Sequence, residues 1–271
     1  MSSPAPKPSE ARLSGEATRP DGAGGATPVV EQIEALIAAM TLEEKAGQLT
    51  IMPAALAPAP ANAANPAAVP GSIEEQAQAV REGRLGAVFN GDSADWHRRM
   101  QTVAVEESRL GIPLLFAADV IHGFRTIFPV PLAEAAAFDA DLAKRTARAA
   151  AEEATAVGLA WNFAPMVDIS RDARWGRGVE GGGEDVLLGC TLAVARVEGF
   201  QGEAGLSDVG AMLATPKHLA GYGGGAGGLD YNSVDVSERT LREIHFPPFQ
   251  AAFDAGALST MAAFNDVAGV P

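Results

Sequence analysis

A parallel α/β fold of the TIM-type (β/α)8 class is predicted from three observations. Short apolar runs alternate with amphipathic helical stretches, the rhythm of a parallel sheet covered by helices. Polar and charged residues gather directly after those runs, where parallel α/β proteins keep ligand chemistry. The polar ends recur after several runs, whereas an open sheet concentrates its site at one switch point. The runs amount to about five of the eight strands a closed barrel needs, so the barrel is expected to be incomplete, with three strands missing.

The elements follow in chain order. Residues 1–28 are rich in Pro, Ala, Gly and Ser, with almost no large apolar side chains. They cannot offset their ordering entropy, so a disordered tail is expected, leaving 29–271 as a partial barrel domain. Val30, Ile33, Ile37 and Met40 recur at helical spacing. Thr41 with Glu44 three residues on is a capping-box pattern that opens a second short helix. Residues 53–71 (PAALAPAPANAANPAAVPG) break helices with proline and predict a surface loop. Strands are then expected at Leu85–Asn90, Pro113–Val120, Leu159–Val167, Ala211–Leu219 and Leu258–Phe264. Helices are expected near Trp96–Leu110, stopped by Gly111, at Asp141–Val157, stopped by Gly158, and at Glu184–Phe200. A last helix spans Ser237–Gly256 with a break at Pro247-Pro248.

Composition narrows the partners. A net charge of −14 argues against nucleic acid, whose phosphates need a Lys/Arg surplus, and against anionic membrane surfaces. It names no substrate, because a solvated acidic surface explains it. The one cysteine, Cys190, excludes an internal disulfide or a multi-cysteine metal site and is expected as a buried structural thiol. The N-terminal stretch has no apolar core of signal-peptide length, and no run is long enough to span a bilayer. The expected location is therefore cytoplasmic as written, or periplasmic if the true start lies upstream.

The chemistry-bearing residues sit at the predicted strand ends. Asp119 and His122 flank a turn at Gly123. A carboxylate there accepts hydrogen bonds from vicinal hydroxyls, or equally caps loop amides. As a metal site the pair lacks a third ligand. The loop ISRDARWGRGVEGGGED interleaves Arg171, Arg174 and Arg177 with Asp172, Glu180, Glu184 and Asp185. A salt-bridged rim accounts for most of these, and Arg177, between two glycines, is the choice for ligand contact. Trp175 is either an apolar platform or, more commonly, a packing residue. Lys217 and His218 are adjacent, so a regular strand turns them to opposite faces; a bulge lets both reach one pocket. Residues 223–228 (GGGAGG) match G-x-G-x-x-G formally but lead into LDYNSVD rather than an apolar helix, so a flexible rim loop is expected. Asp235 with Glu238 forms a candidate helix cap, and Asp266 faces either the rim or a ligand. No nucleophile elbow, zinc-helix motif or P-loop occurs.

The segments TLEEKAGQL (41–49), ADVIHGFRTIFPVPL (118–132), FAPMVDISRDARWGRGVEGGGED (163–185), PKHLAGYG (216–223), DYNSVDVSERTLREIHFPPFQAAFDAG (230–256) and MAAFNDVAGVP (261–271) resemble the N-terminal domain of glycoside hydrolase family 3, most of all its bacterial periplasmic-type β-glucosidases. The resemblance runs in one order over roughly residues 30–271. It implies a TIM-like barrel followed by an α/β sandwich domain, and retaining cleavage of β-linked sugars; no cofactor and no metal are expected. It places Asp119, Arg177, Lys217 and His218 in the −1 sugar subsite. The family's nucleophilic aspartate and its acid/base glutamate are expected beyond Pro271, so no catalytic residue is expected in this chain. The loop after Lys217-His218 has no histidine, which points away from the family's β-N-acetylglucosaminidase branch. Phe264 stands where some relatives carry a tyrosine facing the sugar.

The expected partner is therefore a β-linked oligosaccharide or glucoside. The expected function is that of a β-glucosidase-like retaining hydrolase of which this chain supplies the binding half. Retention needs two carboxyl groups about 5–5.5 Å apart. The alternative is a non-catalytic carbohydrate-binding fragment. A nucleotide-binding oxidoreductase, resting on the glycine run alone, is more distant.

Overall fold

The computed structural model describes residues 29–55, 71–91 and 93–271. The 1–28 tail and nearly all of the 53–71 loop lie outside the described residues. Six short strands run in parallel: β1 (Ile51–Pro53), β2 (Ala87–Phe89), β3 (Leu115–Ala118), β4 (Trp161–Asn162), β5 (Lys217–Leu219) and β6 (Met261–Ala262). The first four form one sheet in chain order and the last two another. Parallel bridges Trp161↔Leu213 and Met166↔Lys217 join the two into one wall. Among the described residues β1 is not paired with β6, so the barrel wall stays open.

Around the wall lie α1 (Val29–Ala39), α2 (Leu42–Gln48), α3 (Ile73–Arg81), α4 (Ala94–Thr102), α5 (Pro131–Ala135), α6 (Ala140–Thr155), α7 (Val186–Gln201), α8 (Glu238–Thr240) and α9 (Pro247–Asp254). The Thr41 capping box forms as expected, with Glu44 N–H donating to Thr41 Oγ1 at 3.2 Å and Thr41 N–H to Glu44 Oε2 at 2.8 Å. The predicted helix at Trp96–Leu110 is shorter and widens into a π turn over Val103–Glu107. The Pro247-Pro248 break is real. A π turn over Leu241–His245 ends there, and proline opens α9, where a missing N–H costs nothing.

Three elements escaped the sequence reading. β1 is only three residues long and sits between a helix and a proline-rich stretch, so no alternation could develop. α3 is mostly polar outside Ala77 and Val80, and α5 is a single turn started by Pro131. The cap of α8 also differs from expectation: Ser237 Oγ, not Asp235, accepts the Thr240 N–H at 3.1 Å. α1 forms at the predicted spacing but leaves Val29, Val30, Ile33 and Ile37 exposed. Cys190 is only half-buried rather than the buried thiol expected; burial still pushes its thiol up.

The main core fills the space between wall and helices. It combines Val88, Phe116 and Met212 from the wall with Met100, Val197, Phe200 and Phe249 from the helices. α6 and α7 make the closest helix pair. α6 turns Ala143, Ala147, Ala150, Ala151 and Ala154 inward, and α7 meets them with Gly199. A Cβ on Gly199 would lie 2.5 Å from the Lys144 carbonyl oxygen and 2.7 Å from the Ala147 Cβ, so only glycine permits this approach.

One ion pair is buried in this layer. Arg196 on α7 donates to Glu134 on α5, and also to the Ile121 carbonyl at 3.2 Å. Thr146 of α6 donates to the same carboxylate. Burial pulls the guanidinium pKa down, while the charge of Glu134 acts the other way. The pair thus ties two helices to the turn that follows β3. Glu134→Gln should destabilise the chain by ~3–5 kcal/mol in urea unfolding, because it strands a buried charge. Replacing both partners by Leu and Met should recover most of that loss.

Candidate functional site

Parallel register brings the predicted residues to one rim. Ala118 is opposite Asn162 in the β3–β4 ladder, and Met166 is opposite Lys217. The carboxyl ends of β3, β4 and β5 are therefore neighbours, and Asp119, Asp168 and Lys217-His218 lie side by side. The backbone under Asp119 is clamped by Asn162, which is fully buried. Its Oδ1 accepts the Val120 N–H at 2.9 Å and its Nδ2 donates to the Val120 carbonyl at 3.0 Å.

Lys217 Nζ donates to Asp119 Oδ1 at 2.6 Å. The ammonium is almost wholly buried, with 4% of its side chain exposed, while 44% of the Asp119 side chain is open. The carboxylate thus sits at the mouth with its second oxygen available. The bulge alternative holds for β5: Lys217 pairs with Met261 and Leu219 with the next residue, Ala262, so two steps on β5 face one on β6. Both side chains are consequently inside, and His218 Nδ1 meets Asp168 Oδ2 at 2.9 Å.

Arg177 reaches the same cluster through its partners. It binds Glu180 through Nε at 2.7 Å and Nη2 at 2.9 Å, and lies over the Tyr222 ring at 5.6 Å. Tyr222 in turn makes an edge contact with the His218 ring at 4.9 Å between centroids. Burial pushes the Glu180 carboxyl up, but hydrogen bonds from Arg177 and the charges of Arg177 and Lys217 outweigh it and hold the group below its ordinary value. The bond to Glu180 raises the Arg177 guanidinium further.

Other candidates fall elsewhere. His122 Nδ1 lies 2.8 Å from the Phe128 carbonyl, inside its own loop. Arg174 is exposed and tied to Asp172, whose carboxyl drops to about 2 through those hydrogen bonds. The salt-bridged reading of that rim therefore covers Arg174 and Asp172. Trp175 is 4% exposed and packs on Met166 and Tyr222. Asp266 turns to its own loop, accepting the Gly269 N–H at 3.0 Å.

The glycine run forms two short turns, a largely buried one at Tyr222–Gly224 and a mostly exposed one at Ala226–Gly228, and Asp230 anchors its far end. Asp230 Oδ1 accepts from Trp175 Nε1 at 3.0 Å and from the Tyr222 hydroxyl at 2.5 Å. Burial and then Asp230 push the Tyr222 phenol up to about 12. A Cβ on Gly223 would lie 2.4 Å from the Ile169 carbonyl, so the glycine serves close approach of two backbones rather than a phosphate.

Sequence reasoning counted Asp168 and Glu180 only among the polar residues gathered after the apolar runs, and did not single out Asn162, Tyr222 or Asp230 as parts of this site. Asn162 and Asp168 carried a signal: each is a polar residue in or beside an apolar strand, which must find a partner once buried. The others became visible only through their contacts. A small pocket lined by Met166, Asp168, Ile169 and Arg196 borders the cluster, and an open hollow of about 520 Å3 bounded by Lys144, Gln201, Gly256 and Leu258 lies beside the C-termini of α7 and α9. The site is an open rim holding carboxylates and cations together, near an aromatic group of Tyr222, Tyr231 and Phe264. Opposite charges cancel locally, which suits a neutral, hydroxyl-rich ligand better than an ion.

The chain matches the model of the Glycosyl hydrolase family 3 N terminal domain over residues 41–271. It is 39% identical over 236 residues to a periplasmic beta-glucosidase of Salmonella typhimurium, covering 87% of this chain and 29% of that protein. It is 37% identical over 180 residues to a beta-xylosidase of Formosa agariphila, covering 62% and 25%. Among solved structures it superposes on the beta-glucosidase of Listeria innocua in complex with glucose, with a TM-score of 0.78, 38% identity and coverage of 89% and 34%. A mutant of that enzyme in complex with laminaribiose gives a TM-score of 0.79 at 38% identity, covering 89% and 33%. The chain thus spans between about a quarter and a third of the length of these proteins.

The pH dependence of the rim follows from Glu180. Its folded pKa lies below the ordinary 4.5, so its stabilisation is complete above that value and is lost as pH falls through the lowered one. Thermal melts of the wild type and Glu180→Gln should differ near neutral pH and converge as acid carries the solution well below 4.5.

Proposed function

The chain belongs to glycoside hydrolase family 3, and we propose on that premise that its rim binds the non-reducing sugar of a β-linked glucoside or oligosaccharide for retaining hydrolysis. The observation that carries the reading is the Asp119–Lys217 pair, closed at 2.6 Å across strands that are 98 residues apart. One carboxylate oxygen is taken by Lys217, and the other accepts from a sugar hydroxyl. Lys217 Nζ carries two further donors, and the Arg177 guanidinium carries further N–H donors beyond the two bonds to Glu180 and its contact with Tyr222. Adjacent hydroxyls of a pyranose are each donor and acceptor, so alternating carboxylate and cation partners bind them in a fixed order. Charge-assisted bonds of this kind are the strong ones.

Within this reading Asp119, Arg177, Lys217 and His218 recognise the sugar and hold it for attack, and none is the nucleophile or the acid/base. Residues 29–271 act as the family's barrel unit. The named relatives act on glucosides and xylosides, and the hydroxymethyl group of glucose is the chemical difference between those sugars. The Salmonella relative's name places that protein in the periplasm. No helix among the described residues is long and apolar enough to cross a membrane.

Calorimetric titration of the purified chain with glucose and with xylose tests the reading. Saturable binding is expected, weakened about ten- to a hundredfold by Asp119→Asn, the value of one charge-assisted hydrogen bond at ~1.5–3 kcal/mol. Unchanged affinity in a folded Asp119→Asn variant would sink the proposal.

A further inference from the structure

We propose that Asp168 is a positioning residue for sugar recognition: it locks the His218 imidazole so that Nε2 is the ring nitrogen left for the ligand. The inference rests on the sugar reading of the rim but concerns a residue that makes no contact with the sugar itself. Asp168 lies two positions beyond Met166, which bridges to Lys217, and Val167 N–H donates to the Lys217 carbonyl at 2.9 Å. That register sets the carboxylate directly beside His218. One oxygen, Oδ2, then accepts twice from the same residue, from the backbone N–H at 3.0 Å and from Nδ1 at 2.9 Å. Holding a side chain to its own backbone through a single acceptor fixes both torsions of the ring.

Water does not compete for these bonds, because only 1% of either side chain is exposed. An ionised carboxylate is acceptor-only, so Nδ1 carries the proton and Nε2 points away from Asp168. The same burial leaves Asp168 Oδ1 without a hydrogen-bond partner. Nearby, His245 is buried with its Nδ1 also unpartnered. Burial pulls its pKa down while the Asp168 charge works in the other direction. The two bonds that Oδ2 accepts from His218 act as outer partners of a histidine ligand do, fixing tautomer and orientation.

The test uses the full chain labelled with 15N-histidine, with His218→Gln to assign the resonance. In the wild type His218 should show a protonated Nδ1. In Asp168→Asn and Asp168→Ala that signature should give way to mixed tautomers, and glucose affinity should fall at least tenfold while melting stays cooperative. Asp168→Asn, nearly isosteric, keeps the test decisive if the alanine variant does not fold. Retention of the wild-type tautomer, or of wild-type glucose affinity, in a folded Asp168→Asn variant overturns the proposal. Absence of glucose binding to the wild type overturns the sugar reading instead, and the tautomer comparison then decides the role of Asp168 alone.

Discussion

Everything at the rim depends on one constraint: all six strands among the described residues run the same way. Parallel ladders align carboxyl ends with carboxyl ends, so residues far apart in the chain become neighbours without any long-range design of their loops. Met166 opposite Lys217 is the decisive contact of this kind. It sets Asp168 beside His218, and the β3–β4 ladder does the same for Asp119 and the buried Asn162. A slip of one residue in either ladder would turn these side chains to the other face.

The bulge in β5 is the necessary exception to that regularity. A regular strand would put Lys217 and His218 on opposite faces, one inside and one out. With the bulge both are buried, and each meets its own carboxylate, Asp119 or Asp168. The two pairs differ in kind. Asp119 is open to a ligand, whereas Asp168 is closed off and serves its histidine. Arg177 and Glu180 extend the alternation of charge, and Tyr222 fills the space between Arg177 and His218.

A shell of less conspicuous contacts holds these groups still. Arg196 and Glu134 tie the turn after β3 to two helices. Asp230 gathers Trp175 and Tyr222, which fixes the glycine-rich turns over the rim. Arg196 and Glu134 are buried, where hydrogen bonds are least exposed to water and geometry is held best, and Asp230, itself exposed, holds the buried Trp175 and Tyr222 from the surface side. By contrast, exposed pairs such as Arg239–Glu243 and Arg242–Glu238 are simple surface ion pairs along one helical face, each worth ~0–1 kcal/mol.

The sequence by itself determined the fold class and most helices, and it named Asp119, Arg177, Lys217 and His218, which the structure gathers at one rim. Periodicity, capping pairs and the placing of polar residues after apolar runs are local signals, and local chemistry is legible along a chain. It did not determine β1, α3 or the cap at Ser237, because elements of a few residues owe their existence to neighbours rather than to their own pattern. The choice between one face and two for Lys217 and His218 was left to the tertiary structure, since a bulge depends on the partner strand. So were the orientation of His218 by Asp168 and the clamping of the Asp119 turn by Asn162. Those are contacts across 50 and 42 residues, and only the closing of the parallel ladders brings such positions together.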